Sequence, residues 1–318
     1  MRIQLISPAD SRYWSGNRVT AERWARILRE LGHRVAMNGL SKGSRCDLLI
    51  ALHARRSADA VFQSHKERPE VPIIVCLTGT DLYRDIRPYR RAQRVLELAS
   101  RLILLQPLGV SELPAHLHEK TRVILQSVPR LQGPPKKAGD AFEVCVIGNL
   151  RPVKDPFRTA MAARLLPKSS RVRVLHVGRA LSESMERRAR AEEARNPRYR
   201  WLRDKSRWQA LRILARSRAL VLTSRMEGGA NVISEALAAS VPVLASRIPG
   251  SVGLLGEDYP GFFPAGDARA LARLLARMET DPHFTERLRA ACARLAPDFD
   301  PVRERDAWES LLEELKIP

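Results

Sequence analysis

Apolar residues in this chain fall into short compact runs, and between them lie longer stretches whose apolar positions recur at helical spacing. Ile3–Ser7 reads as a first strand. Thr20–Leu31 has the helical period, and Gly32 follows as a C-terminal stop. Asp47–His53 and Ile73–Leu77 are compact apolar strands, and Leu102–Leu105 and Val123–Gln126 are shorter ones. Helical stretches run from Ala54 to about Lys66 and over Arg90–Ser100. Strands that alternate with helices predict a parallel sheet covered on both faces.

The pattern then breaks. Leu131–Asp140 has no apolar period and carries Pro134-Pro135 with two glycines, so it reads as a linker. The alternation restarts beyond it. Strands are predicted at Glu143–Ile147, Val172–Val177, Ala219–Thr223 and Val241–Ala245. Helices are predicted at Asp155–Leu166, Ser182–Arg195, Ser206–Arg216 and Asn231–Ala239, and they fill most of Asp267 to Leu315. The fold class is therefore α/β: two Rossmann-like, doubly wound domains facing a cleft at the carboxyl ends of their strands. Their expected extents are residues 1–133 and 140–318, with the C-terminal helices packing back on the first domain.

Composition narrows the class. The chain has 318 residues, 44% hydrophobic and 28% charged, which excludes wholesale disorder. No apolar run approaches the about 18 residues of a membrane helix, so no stable membrane insertion is expected. Met1–Ser7 is too short an apolar stretch for a signal peptide. Cys46, Cys76, Cys145 and Cys292 are far apart, as reduced cytoplasmic thiols would be. The net charge is 55 − 35 = +20. Residues 1–138 contribute 24 − 12 = +12 and residues 139–318 contribute 31 − 23 = +8, so no charged tail carries it. Three readings fit: nucleic-acid binding, attraction of phosphorylated small molecules, or a solvated Arg-rich surface. Interleaved signs, as in Glu186–Glu193, favour the last, and few aromatics stand among the arginines to stack on bases.

The chemistry concentrates in Ser224–Leu237. A buried strand ends near Thr223, Gly228-Gly229-Ala230 make a turn, and a helix begins near Asn231. The glycines admit close backbone approach. The free N–H groups of Asn231 and Val232 and the positive end of the helix dipole suit a diphosphate. Glu235 lies about one turn into that helix, and Glu227 precedes the turn. Carboxylates there accept hydrogen bonds from sugar hydroxyls and require cations nearby. Ile147–Phe157 supplies them: strand, Gly148, Asn149, then Arg151 and Lys154 at a strand's carboxyl end. Positive charge is needed there as a diphosphate departs.

Two glutamates separated by seven residues around a Gly turn resemble the E-x7-E motif of retaining two-domain (GT-B) glycosyltransferases. Where that family usually has Gly-Arg-Leu and then a Lys, this chain has Gly148-Asn149-Leu150 and Lys154, with Arg151 in place to supply the missing charge. Gly16–Ala25, Asp47–Ser57, Thr78–Asp85, Glu227–Ala236 and Ser246–Gly256 further resemble the selenosugar synthases of selenoneine biosynthesis. That resemblance implies a transferase that couples UDP-N-acetylglucosamine or UDP-glucose with selenophosphate to a 1-seleno-sugar, releasing UDP and phosphate. The sequence has no Asp-x-Asp metal motif, so no metal and no further cofactor are expected, and a nucleic-acid partner would leave the Glu227/Glu235 pair unexplained, so none is expected. Glu227, Lys154 and Arg151 would be catalytic. Glu235, Gly228, Gly229, Ala230, Asn231, Val232, Asn149, Gly16 and Asn17 would bind the donor.

The first half fits an acceptor site. Gly16-Asn17 follows the first strand as a loop, and His53–Ser57 opens a helix with Arg55 and Arg56 at its start. His53, Thr78 and Thr80 stand at strand ends beside them, with Lys120, Gln106 and Gln126 as secondary candidates. A hydroxyl acceptor on a lipid or polysaccharide is the enzymatic alternative, and a basic nucleic-acid-binding protein is the alternative of another class.

Overall fold

The computed structural model describes residues 1–8, 16–37, 46–129 and 140–315. The linker read at Leu131–Asp140 lies outside them except for Asp140. The chain divides into two compact units. One is Met1–Ser127, Glu227–Ala230 and Pro301–Pro318; the other is Val128–Met226 and Asn231–Asp300.

The first unit holds strands β1 (Arg2–Ile6), β2 (Arg34–Met37), β3 (Leu48–Leu52), β4 (Ile73–Leu77), β5 (Arg101–Leu104) and β6 (Thr121–Val123). They pair in parallel, in the order β2-β1-β3-β4-β5-β6. Helices α1 (Gly16–Glu30), α2 (Ala58–Glu67) and α3 (Arg90–Leu98) complete the crossovers. Every side chain of β3 and β4 is buried, because a central parallel strand has an apolar layer on each face. Leu48, Ile50 and Leu52 join the layer of Trp24 and Leu28, whereas Leu49 and Ala51 join that of Val61 and Val95. Gly32 sits at φ +88°, a left-handed stop for α1.

The second unit holds β7 (Phe142–Ile147), β8 (Val172–Val177), β9 (Tyr199–Trp201), β10 (Ala219–Leu222), β11 (Val243–Ser246) and β12 (Phe262–Phe263). Its helices are α4 (Arg158–Arg164), α5 (Glu183–Arg195), α6 (Arg207–Arg216), α7 (Asn231–Ala238), α8 (Pro249–Leu255), α9 (Ala268–Thr280) and α10 (Pro282–Leu295). The sheet order β12-β11-β10-β7-β8-β9 is the doubly wound 3-2-1-4-5-6 pattern. Its order reverses between β7 and β10, and a ligand crevice in such sheets opens at that point.

Helix α11 (Pro301–Glu314) belongs to the first unit, and the second unit ends at Asp300. Trp24 Nε1 donates to Glu304 Oε1 at 2.7 Å, and Ser127 N donates to Glu304 Oε2 at 2.8 Å. Arg23 Nε pairs with Glu304 at 3.3 Å, and Trp24 meets Trp308 edge to face. A buried carboxylate is held only by such a complete set of partners. Among the described residues, no helix is long and apolar enough to cross a membrane.

Candidate functional site

In the second unit the loops after β7 and β10 meet at the switch point. Thr223 Oγ1 donates to the carbonyls of Lys154 and Asp155, both at 3.0 Å, and Arg225 N donates to Val153 O at 2.8 Å. A short 3-10 turn, Pro152–Lys154, follows Arg151, and Asp155 ends it in the left-handed region at φ 43°. The Asp155 carboxylate is held by Arg158 at 2.9 Å and Arg225 at 3.6 Å. The basic loop is therefore fixed on the end of β10, and α4 begins only at Arg158, later than the helix expected from Asp155. Lys154 lines a recess with Gly148, His176, Val221, Thr223 and Ser224.

Gly148 rests on a second backbone. Gly178 is at φ +153°, and a Cβ there would lie 2.0 Å from Gly148 O. Asn149 Oδ1 accepts from Arg179 N at 3.1 Å, so its side chain braces the loops after β7 and β8. Beneath them, His176 is fully buried between Tyr199 Oη at 2.9 Å and Gly148 O at 3.3 Å. Burial pushes its pKa down to about 4, so the ring is neutral at pH 7.

Asn231 opens α7, as the Gly turn requires, and Val232 and Glu235 follow on its buried face. Glu235 is only 8% exposed. Its Oε1 pairs with Arg207 Nη1 at 2.8 Å, from the first turn of α6. Sequence reading did not single out Arg207. Its one available signal is a cation directly after the Ser206 cap, where a helix start ordinarily favours anions.

Glu227–Ala230 cluster with the first unit. Glu227 and Ala230 are buried. The glycines here serve protein packing. A Cβ on Gly228 would lie 2.5 Å from the Thr78 carbonyl carbon, and one on Gly229 would lie 2.4 Å from Leu105 Cβ. Thr78, Gly79 and Leu105 follow the carboxyl ends of β4 and β5, so the turn lies on those strand ends.

Beside it, the structure brings His53, Arg55, Arg56, Thr78 and Thr80 around two buried carboxylates. Asp81 Oδ1 accepts from Thr78 N at 2.9 Å and Gly79 N at 2.8 Å, and its Oδ2 accepts from Ala54 N at 3.0 Å. His53, at φ 69°, accepts from Arg56 N at Nδ1 over 3.4 Å. Its Nε2 therefore carries the proton and donates to Thr80 Oγ1 at 3.1 Å. Burial lowers the His53 pKa against the opposing pull of Asp81, which favours the neutral ring. Asp85 pairs with Arg84 at 3.0 Å and Arg55 at 3.5 Å, and Arg55 also lies over the Tyr89 ring at 3.8 Å. The Arg56 side chain is exposed and has no hydrogen bond or ion pair among the described residues. Asp81 and Asp85 were not among the expected site residues, although both stand in Thr78–Asp85.

Several sequence expectations change. Helix α2 starts at Ala58 with Ser57 as cap, so Arg55 and Arg56 lie in the turn before it. Gly16 and Asn17 are the first residues of α1, not a loop. Lys120 Nζ donates to the carbonyls of Leu96, Glu97 and Ala99, closing the end of α3. It also directly precedes β6, at the amino end of that strand. Gln106 caps the turn after β5 through Leu108 N at 2.7 Å and binds Tyr83 Oη. Gln126 donates to Thr20 Oγ1 inside the core.

HepE of Anabaena, solved with UDP-glucose, superposes with a TM-score of 0.78 at 18% identity over 99% of both chains. Sucrose-phosphate synthase of Thermosynechococcus elongatus superposes with a TM-score of 0.75 at 15% identity, over 99% of this chain and 98% of that one. These likenesses establish the GT-B fold, two Rossmann-like α/β sheets in one chain. In sequence, the chain is 24% identical to glycosyltransferase 1 domain-containing protein 1 of Xenopus tropicalis, over 99% of each. The family model "Glycosyl transferases group 1" matches residues 128–295, more than half the chain, a span that holds β7 to β12 and ends with α10. The chain belongs to the glycosyl transferases group 1 family.

Proposed function

We propose that this protein transfers the sugar of a UDP-sugar, UDP-N-acetylglucosamine or UDP-glucose, to selenophosphate. The observation that carries the donor half is the end of β10 and the start of α7 with Asn231 and Glu235, in the second unit, with the Lys154 loop hydrogen-bonded to that strand end. Diphosphate oxygens bind the Asn231 and Val232 N–H groups, and Arg151 and Lys154 balance charge as UDP leaves. Glu235 accepts from the ribose, and Glu227 from the sugar hydroxyls. These side chains supply the charge, so this reading invokes no metal. The complexes of HepE with UDP and with UDP-glucose support a donor of that class.

The acceptor half rests on the selenosugar synthase resemblance and on Arg56, an exposed guanidinium beside the buried His53–Asp81 cluster. A guanidinium fork suits a phosphoryl group. Selenium attacks the anomeric carbon. The C–Se bond forms as the C–O bond to UDP breaks, and UDP departs with the electron pair. Water then takes the phosphoryl group, the P–Se bond breaks with its electrons left on selenium, and phosphate is released.

Calorimetry on Glu235→Ala tests the donor half. A hydrogen bond to a charged group contributes about 1.5–3 kcal/mol, so UDP affinity should fall about tenfold or more. Unchanged affinity would remove Glu235 from the ribose.

A further inference from the structure

Asp81 and the Glu227 turn are far apart in sequence and both belong to the first unit. Asp81 is fully buried and accepts three backbone N–H groups, from Ala54 after β3 and from Thr78 and Gly79 after β4. A buried carboxylate so satisfied fixes the backbone that satisfies it. The fixed backbone is also unusual. Gly79 is at φ +135°, open to glycine alone, and a Cβ on it would lie 2.6 Å from Gly228 N. The reciprocal contact is equally close, since a Cβ on Gly228 would lie 2.6 Å from Gly79 N. Two glycine backbones thus lie against each other. One is tied to Asp81, and the other directly follows Glu227. All of these residues belong to the first unit.

We infer that Asp81 is a positioning residue for donor recognition: by fixing Thr78-Gly79 it sets the Glu227-Gly228 backbone, and with it the carboxylate that reads the sugar. The inference rests on the reading of Glu227 as the sugar contact. It explains why this loop carries Thr78-Gly79-Thr80-Asp81, because Gly79 supplies the φ and the absent side chain, and Asp81 supplies the acceptor. An Asn at 81 would turn an N–H toward backbone N–H donors and lose at least one of the three bonds.

The test compares affinities for UDP and for UDP-glucose by calorimetry on the full chain. The variants are Asp81→Asn, Gly79→Ala, Glu227→Gln and the double variant Asp81→Asn/Glu227→Gln. Asp81→Asn and Gly79→Ala should each weaken UDP-glucose binding about tenfold and change UDP binding less than about twofold. The double variant should bind UDP-glucose no more weakly than Glu227→Gln alone, the signature of one shared interaction. Equal losses for UDP and UDP-glucose in Asp81→Asn would mark a general structural role and overturn the inference. So would a folded Asp81→Asn with the wild-type ratio of the two affinities while Glu227→Gln alters it. If Asp81→Asn does not fold, Gly79→Ala decides: an unchanged ratio, or failure of that variant to fold as well, overturns the inference. A Glu227→Gln protein with the wild-type ratio would instead refute the sugar contact itself, a failure distinct from that of Asp81.

Discussion

Arg55 and Arg56 are adjacent in sequence, yet their charges are differently engaged. Arg55 is ion-paired with Asp85 and stacked on Tyr89, whereas the Arg56 guanidinium has no partner among the described residues. Arg56→Ala should therefore raise the KM for selenophosphate about tenfold, more than Arg55→Ala does, with UDP affinity unchanged in both; equal effects, or none, in steady-state kinetics would move the anion site elsewhere. The sequence displays such arginines but not their partners, because ion pairs like Arg55–Asp85 and Arg207–Glu235 join residues on different elements. It also could not show that Gly228 lies against the Thr78 backbone and Gly229 against Leu105, since a glycine's reason lies in whatever occupies its missing Cβ. His176 gives a pH prediction at the same scale. Burial holds its pKa at about 4 against an ordinary 6.5, so the fold favours the neutral ring. Its contribution is complete above about pH 6.5 and is lost as pH falls toward 4, on the order of 3 kcal/mol. Urea unfolding between pH 7.5 and 4.5 should show that decline, and His176→Gln should flatten it; parallel profiles would contradict the buried neutral ring.

Among the elements, legibility followed burial. Leu-Leu-Ile-Ala-Leu and Ile-Ile-Val-Cys-Leu are apolar throughout because β3 and β4 are covered on both faces, and those strands were read nearly to the residue. Edge strands gave weaker signals. In Arg34–Met37 exposed and half-buried positions alternate, and Tyr199–Trp201 is only three residues long, so β2 and β9 were not expected. Helix starts slipped where a turn intervenes: the run from His53 to Ser57 has helical composition, but His53 at positive φ delays α2 to Ala58. The strand, Gly turn and helix around Glu227 and Glu235 was legible because two adjacent glycines punctuate it. The Gly148 loop depends on its neighbour in the same way as the Glu227 turn. Gly178→Ala would put a methyl 2.0 Å from Gly148 O at a φ of +153°. It should lower the melting temperature and weaken UDP binding together; a variant that binds UDP as the wild type does would show that the loop's position does not matter to the donor.

Over the whole chain, the alternation of strands and helices yields two six-stranded parallel sheets and the GT-B fold shared with HepE at only 18% identity. The place of α11 in the first unit rests on Glu304 meeting Trp24 and Ser127, more than 170 residues away. Exposed pairs such as Arg190–Glu186 and Arg277–Asp281 interleave the two signs on helix faces, as a solvated surface does, and each is neutral, so the +20 is the excess of basic side chains beyond all such pairs. Group 1 membership is established by residues 128–295, whereas the identity of the acceptor is the proposal's own. Mass spectrometry of reaction products tests it most directly, with UDP-N-acetylglucosamine or UDP-glucose incubated in chelator with and without selenophosphate. The proposal predicts UDP and phosphate released together with a sugar bearing the selenium isotope pattern, only when selenophosphate is present. Intact UDP-sugar under every condition, or sugar appearing only on hydroxyl acceptors added in place of selenophosphate, would contradict it.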